Sequence, residues 1–178
     1  MQNVEFKAEL RDLDLARVLC RRVRATLAET LHQTDTYFRL ADGRLKRRET
    51  AGHPTEYIYY HRDNAARARV SRFNIYSLEQ ARAHFGSLEL PTWVVVRKVR
   101  EVWMHSGVRI HLDQVEGLGT FMELEALVTP TSPVELCHQT VQLIRQAFGP
   151  VMGELVSLSY SDMLAADAEQ AEERGRAL

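Results

Sequence analysis

The chain has 178 residues, of which 45% are hydrophobic and 26% are charged, and these proportions are ordinary for one soluble globular domain. Its net charge of −1 excludes the uniformly basic proteins that coat nucleic acids, although balanced totals can conceal segregated patches of charge. We expect neither a signal peptide nor a membrane anchor, because the N-terminal segment is charged from residue 5 and no apolar run approaches the roughly 20 residues of a membrane span.

The first half of the chain predicts a strand, a helix and an antiparallel meander. Residues 2–10 alternate strictly between apolar and polar side chains, as a half-buried strand does. From residue 12 to residue 30 the apolar positions change to helical spacing, with the arginines of RRVR (21–24) on the opposite, solvated face. Turn residues separate four further predicted strands, 31–40, 44–50, 56–62 and 69–75.

The middle of the chain predicts one helix and three long strands. Ser77 and Gln80 form a capping box that predicts a helix ending at Gly86. Residues 91–107 are rich in β-branched side chains and predict a long strand. The segment VRIHLDQVEGLGTFMELE (108–125) predicts two strands around a glycine-containing turn, the second continuing to about Val128.

The C-terminal part predicts one more clear helix. Ser132 is the predicted N-cap and Pro133 the first helical residue, and Gly149-Pro150 ends the helix. Residues 154–164 predict a short final element, and we expect a frayed or disordered tail over 165–178, where apolar residues are scarce. Strands joined mainly to their sequence neighbours indicate a single α+β antiparallel domain over residues 1–164.

Charged side chains recur on one face of nearly every predicted strand. In the segment 108–125, for example, Val108 and Ile110 alternate with Arg109 and His111. A solvated outer face explains such a pattern on any single strand. However, lysine and arginine dominate four segments, while acids gather on the first strand and the last hairpin. This segregation favours a sheet that curls so that its charged faces meet inside a barrel and its apolar faces lie under the helices.

Such an interior would hold cations and carboxylates together, and crowded charges need compensation once they lose water. A polyphosphate with its metal ions would satisfy both sets, since cations bind phosphate oxygens and carboxylates bind Mg²⁺ or Mn²⁺. The cations are Lys7, Lys46, Arg48, Lys98, Arg100 and Arg109. The carboxylates are Glu5, Asp113, Glu123 and Glu125.

Six short motifs follow one another from about residue 2 to residue 164. They are NVEFK (3–7), QTDTYF (33–38), RLKRRE (44–49), the Val-x-Lys-x-Arg pattern of 96–100, RIHLDQVEGLGTFMELE (109–125) and SYSDML (159–164). In this order they resemble the CYTH superfamily of triphosphate tunnel metalloenzymes, and most closely its class IV adenylyl cyclase branch. The block 109–125 is the most specific of the six.

The resemblance implies an α+β fold with an eight-stranded antiparallel closed β-barrel, or tunnel, a charged interior and flanking helices. It implies an enzyme that depends on Mg²⁺ or Mn²⁺ and acts on a small molecule bearing a triphosphate, such as ATP, tripolyphosphate or thiamine triphosphate. Both cyclisation of ATP to cyclic AMP and hydrolysis of the triphosphate stay open. The alternative is a module that binds a polyphosphate or nucleotide without turnover. We expect no nucleic-acid or membrane partner, and the family suggests homodimers in places.

The resemblance also implies site residues by position in the motifs. Glu5, Glu123 and Glu125 resemble metal ligands, and Asp113 resembles an acidic tunnel residue near the metals. Asp113, Glu5 and Lys7 are the candidate catalytic residues, with Asp113 or Glu5 as proton acceptor. The phosphate-binding set comprises Lys7, Lys46, Arg48, Arg62, Lys98, Arg100 and Arg109.

Two departures from the family pattern bear on these roles. The family opens with Glu-x-Glu-x-Lys, whereas this chain has Asn3 at the first acid, and an amide is a weaker metal ligand than a carboxylate. This change puts one metal site in doubt and gives weight to the binding module. The family often has a lysine on the fourth strand, where this chain has YIYYHRD (57–63); Arg62 or His61 is the candidate replacement.

Other noticeable residues are predicted to have structural roles. Cys20 and Cys137 lie on apolar helical stripes and are predicted core thiols, which fits a reducing cytoplasm. For His111 a hydrogen bond within the tunnel is the favoured prediction over metal ligation. Packing is predicted for Trp93, Trp103, Tyr57, Tyr59 and Tyr60, and Tyr160 and Asp162 are predicted to line or close one mouth of the tunnel.

Overall fold

The computed structural model describes residues 1–61 and 69–176. The strands in these ranges are β1 (Gln2–Leu10), β2 (Thr26–Phe38), β3 (Arg44–Thr50), β4 (Glu56–His61), β5 (Arg69–Tyr76), β6 (Thr92–His105), β7 (Val108–Val115), β8 (Gly119–Leu127) and β9 (Met152–Leu155). The helices are α1 (Leu13–Arg22), α2 (Leu78–Phe85), α3 (Val134–Ala147) and α4 (Tyr160–Arg176), and a short 3₁₀ helix spans Gly149–Val151.

Eight of these strands form a closed antiparallel barrel. Their order is β5-β4-β3-β2-β6-β7-β8-β1, and pairing between β1 and β5 closes the ring. The ninth strand, β9, pairs with the end of β1 outside the ring. The predicted α+β fold with an eight-stranded antiparallel barrel and flanking helices is therefore confirmed.

The largest hydrophobic core lies outside the barrel, between its wall and the helices. Val4, Phe6 and Leu124 face outwards and share this core with Cys20 of α1 and Val141 of α3. A smaller cluster, which includes Phe38, Leu45, Tyr57 and Ala81, joins α2 to β2, β3 and β4. The barrel thus turns its apolar surface towards the helices, as the segregation of charge predicts.

The helix predicted over residues 12–30 is shorter than expected. It ends at Arg22, and β2 begins at Thr26, so the predicted strand 31–40 starts five residues earlier and ends at Phe38. The reversal is made at Arg24, which has a left-handed φ of 61°. Since glycine usually marks this conformation, the sequence carried no stop signal here.

The C-terminal part differs from prediction at two points. The N-cap of α3 is Pro133 and not Ser132, whose backbone N–H bonds to Thr129. The tail expected to fray from Ala165 instead continues α4 to Arg176. Its many alanines and glutamates favour a helix, and buried Tyr160 anchors the first turn. The domain boundary at residue 164 stays a prediction.

Within the described part of the chain, none of the helices combines the length and apolar character needed to cross a bilayer.

The left-handed residue after α1 yields a stability prediction. Replacement Arg24→Gly should raise the free energy of unfolding by about 0.5–1 kcal/mol, because a non-glycine residue in this conformation costs about 1–2 kcal/mol and the extra chain entropy of glycine offsets part of the gain. Urea denaturation measures the change. The matched control Arg21→Gly, placed inside α1, should lower the same free energy by about 0.5–1 kcal/mol. A loss of similar size in both variants would contradict the prediction.

Candidate active site

The barrel encloses a cavity of about 290 Å³, close to the lower end of the usual range for small-molecule sites. Side chains from the polar faces of the strands line most of it. The lining includes nearly every predicted site residue: Glu5, Lys7, Lys46, Arg48, Lys98, Arg100, Arg109, Glu123 and Glu125. The structure therefore brings the predicted cations and carboxylates together in one enclosed space.

The remaining predicted residues lie elsewhere. Asp113 is fully buried and does not line the cavity. Arg62 lies outside the described residues. The other candidate for the missing lysine, His61, is exposed, and its Nε2 lies 2.8 Å from the hydroxyl of Tyr59 on the outer face of β4. It does not line the cavity. Instead, β4 presents Glu56, Ile58 and Tyr60 to the interior.

Strand register determines which charged side chains face each other on the inner surface of the barrel. In the antiparallel pairing of β1 with β8, Lys7 faces Glu123 and Glu5 faces Glu125. On the other side of β8, Glu125 faces Arg109, and the two side chains form an ion pair of 3.4 Å. Because side chains alternate along a strand, one register places the whole charged row inside.

A buried carboxylate that was not among the predicted site residues, Asp35 on β2, holds three of the cavity cations. Its oxygens accept hydrogen bonds from Lys46 Nζ at 2.9 Å, from Arg48 Nε and Nη2 at 2.7 Å each, and from Lys98 Nζ at 3.0 Å. The sequence signal was the alternation in QTDTYF, which places Gln33, Asp35 and Tyr37 on one face. We call Asp35 with Lys46, Arg48 and Lys98 the Asp35 cluster.

Burial and charge act in opposite directions within the Asp35 cluster. Burial alone would raise the pKa of Asp35, but the charges of Arg48, Lys46 and Lys98 hold that pKa well below its usual value. Burial also lowers the pKa of Lys98 to about 7, although the charge of Asp35 opposes this shift. Three cations against one carboxylate leave this cluster with an excess of positive charge.

A second buried group surrounds Arg100. Its Nε and Nη2 donate to the two carboxylate oxygens of Asp113 at 2.7 and 2.6 Å, and Nη2 also donates to Glu123 at 2.6 Å. The Tyr160 hydroxyl donates to Asp113 at 2.8 Å. Burial would raise the pKa of Asp113, yet Arg100 lowers it. These contacts favour Asp113 as the residue that holds Arg100 over its predicted roles in catalysis and metal binding.

The start of α4 closes one end of the barrel. The ring of Tyr160 lies 4.1 Å from Lys7 Nζ, which also donates to the carbonyl of Leu158 at 3.2 Å. At the beginning of β3, Arg44 donates to Asp162 at 2.7 Å and to Ser159 at 2.9 Å. The motif SYSDML is thus the segment that closes the tunnel at this end.

A group of buried and half-buried side chains on β7 and β8 can hold a metal ion. The candidate ligand atoms of His111, Glu123 and Glu125 all lie within 4.8 Å of one another. His111 Nδ1 is 3.9 Å from Glu123 and has no hydrogen-bond partner, so the predicted hydrogen bond is not made by this atom. The Oδ1 of Asn3 is likewise buried without a partner. Carboxylates with an imidazole fit a divalent cation, and we call His111, Glu123 and Glu125 the β7–β8 cluster.

The residues predicted to have structural roles mostly have them. Cys20 and Cys137 are buried free thiols in the outer core, and burial raises the pKa of Cys20 to about 12. Trp103 packs in the same core, and Tyr57 packs under α2. Tyr60 differs, because it faces inwards and lines the cavity while it packs against neighbouring apolar residues.

Unfolding measured over a range of pH tests how much Asp35 contributes to the stability of the fold. Replacement Asp35→Asn should lower the free energy of unfolding by about 3–5 kcal/mol near neutral pH, because it leaves buried cations without their counter-charge. In the wild type this contribution is fully present above the ordinary pKa of an aspartate, about 4, and is lost as the pH falls below it, since the pKa in the folded state is lower. Urea unfolding measured from about pH 7 to about pH 3 checks both statements.

The matched control for this experiment is Asp14→Asn. Asp14 is exposed and pairs with Arg17 on the surface of α1, so its loss should change the free energy of unfolding by no more than about 0.5 kcal/mol. If Asp35→Asn costs no more than Asp14→Asn at neutral pH, the assigned role of Asp35 is wrong.

A family model, the CYTH domain, matches residues 1–150 of the chain. A search of curated protein sequences gives no significant match.

Solved structures share the fold at low sequence identity. The PH1012 protein of Pyrococcus horikoshii has a TM-score of 0.74 at 19% identity, over 90% of this chain and 98% of its own. A candidate adenylate cyclase from Vibrio parahaemolyticus has a TM-score of 0.68 at 16% identity, over 92% and 97%. HpAC1 of Hippeastrum, described as a candidate adenylyl cyclase with a dominant triphosphatase activity, has a TM-score of 0.63 at 17% identity, over 93% and 96%.

Proposed function

Because the chain belongs to the CYTH domain family, we propose that it is a Mg²⁺- or Mn²⁺-dependent enzyme that acts on the triphosphate group of a small molecule inside its barrel. The observation that carries this proposal is the enclosed cavity, which brings an excess of cations on β3 and β6 together with a group of metal-binding donors on the neighbouring strands β7 and β8. A triphosphate with its metal ion complements both groups at once.

The distribution of charge indicates how the ligand would lie. The Asp35 cluster keeps excess positive charge, whereas Arg100 is already neutralised by Asp113 and Glu123. The phosphate chain should therefore bind beside Lys46, Arg48 and Lys98. These side chains are held by Asp35 before any ligand arrives, so little of their conformational freedom is lost on binding.

The metal should lie at the β7–β8 cluster, next to β6 in the barrel wall. Glu5 faces Glu125 across the β1–β8 pair and is the predicted additional carboxylate ligand. A divalent cation there would withdraw charge from phosphate oxygens and lower the pKa of bound water. The unpartnered Nδ1 of His111 supplies a neutral donor to this group.

The protein's own side chains would then orient the reacting groups. Lys7, fixed by the carbonyl of Leu158 and the ring of Tyr160, places a positive charge where a leaving phosphate gathers negative charge. Glu5 is the proposed proton acceptor, while Asp113 acts through Arg100 as a positioning residue. Water as nucleophile gives hydrolysis, and the ribose 3′-hydroxyl of ATP gives cyclic AMP and pyrophosphate.

Product analysis with two carboxylate variants tests the proposed function. The protein is incubated with tripolyphosphate, ATP or thiamine triphosphate and with Mg²⁺ or Mn²⁺, and phosphate, pyrophosphate and cyclic AMP are measured. Glu123→Gln and Glu125→Gln should each lower kcat by about 100-fold or more, because each removes a charged metal ligand. The control Glu116→Gln, in the exposed turn between β7 and β8, should retain full activity. Tight binding without any product would overturn the enzyme in favour of the binding module.

Lys98 gives the binding step a pH dependence. Its pKa of about 7 means that Lys98 loses its charge above that pH, so the affinity for tripolyphosphate should fall, by up to about tenfold per pH unit. Because a bound phosphate would raise the pKa of Lys98 again, binding above pH 7 should take up a proton, which calorimetry in buffers of different ionisation enthalpy detects.

The comparison protein for this measurement is Lys98→Arg. Arginine keeps its charge throughout the range, so the variant should lack the part of the pH dependence that Lys98 causes, while the ionisation of the ligand is the same for both proteins. Identical proton uptake by the wild type and the variant would show that Lys98 is not the titrating group.

A further inference from the structure

The cavity has two unlike walls. Inward-facing residues of β4 and β5 form two apolar cross-strand pairs, Ile58 with Ile75 and Tyr60 with Phe73. In the ring of eight strands, β4 and β5 stand opposite β7 and β6, which carry cavity cations. One side of the cavity is therefore ionic and the other is apolar.

Part of the apolar wall belongs to an internal hydrophobic cluster, but Ile75 does not. Ile58, Tyr60 and Phe73 pack with residues such as Phe121 and Tyr160 near the end closed by α4. Ile75 lies beyond this cluster, lines the cavity and remains 40% exposed. Inorganic polyphosphate gains nothing from such a surface, because contact would remove water from its charges, whereas an organic group gains by covering it.

Three polar side chains without partners lie on the same strands and on β1. Asn3 and Ser71 are direct partners across the β1–β5 pair, and both line the cavity. The oxygen of Asn3 has no hydrogen-bond partner, and among the described residues neither Ser71 nor the carboxylate of Glu56 has a side-chain partner. Two of these three groups are acceptors only at the atoms concerned, so they suit N–H donors or a positive charge.

The strand directions place these features at one end. The start of β1, the end of β5 and the start of β4 coincide in the antiparallel barrel, and this end is opposite the one where α4 meets the start of β3. An elongated ligand can thus place its phosphates among the cations of the interior and its other end beside Ile75.

We infer that the preferred substrate is an organic triphosphate, over inorganic tripolyphosphate. Its organic group is a flat, nitrogen-containing ring that covers Ile58 and Ile75 and directs N–H donors or positive charge to Asn3 and Glu56. A nucleobase and a thiazolium-type ring share this chemistry. The inference rests on the proposed function and narrows its substrate class.

The test compares three substrates in wild-type protein and Ile75→Thr. The wild type should have a higher kcat/KM with ATP or thiamine triphosphate than with tripolyphosphate. Ile75→Thr should lower kcat/KM for the preferred organic substrate about fivefold and leave tripolyphosphate within about twofold, because only the organic group loses an apolar contact. Turnover of tripolyphosphate by the variant also shows that it is folded.

Two further variants complete the design. The control Val18→Thr makes the same type of change at an exposed residue of α1 outside the cavity. It should not change kcat/KM for organic or inorganic substrates. Glu56→Gln distinguishes a cationic ring from a neutral nucleobase. It should weaken binding of a substrate with a cationic ring at least tenfold and binding of a substrate with a neutral base much less.

The outcomes distinguish the inference from the proposed function. The inference is wrong if the wild type prefers tripolyphosphate, or if Ile75→Thr changes kcat/KM equally for all substrates. Either result leaves the proposed function standing. Absence of binding and of turnover with all three substrates overturns both.

Discussion

The structure depends on the need to compensate cations that are buried together. Lys46, Arg48 and Lys98 cannot lie within one barrel unless a carboxylate receives them, and Asp35 does so with four hydrogen bonds at full burial. A single carboxylate is too little to neutralise the three, and this shortfall makes the interior receptive to an anion. Asp35 therefore stabilises the folded barrel and still leaves the site with a net positive charge.

Because ionic side chains fill much of the barrel interior, most of the hydrophobic stabilisation of the fold comes from the outer surface of the barrel. The buried residues Val4, Phe6 and Leu124 gain their stabilisation under α1 and α3, so the helices supply most of the core that a barrel usually contains within itself. The interior is then free to vary in chemistry. The β4–β5 wall is largely apolar, whereas β6 and β7 present charged side chains to the cavity.

Alternation of side chains made the barrel predictable, because a period of two assigns a whole strand to one face or the other. The roles of isolated residues were harder to predict. Asp35 and Glu56 lie on strands without an acidic pattern, and only the register of the neighbouring strands shows what they face. Asp113 faces Arg100 across the hairpin of β6 and β7, but its contact with Tyr160 joins distant parts of the chain, and no local pattern reveals that contact. The sequence did not predict the end of α1, because the left-handed residue that follows the helix is Arg24 and not a glycine.

The position of α4 in the chain has a consequence for biosynthesis. Tyr160 and Asp162, which close one end of the barrel, are encoded after all eight barrel strands. While the ribosome still holds these residues in its exit tunnel, Asp113 lacks the phenol and Arg44 lacks its carboxylate partner. The ionic interior is therefore completed only after all eight strands have been synthesised, and a chain cut before α4 would have a barrel that is open at this end.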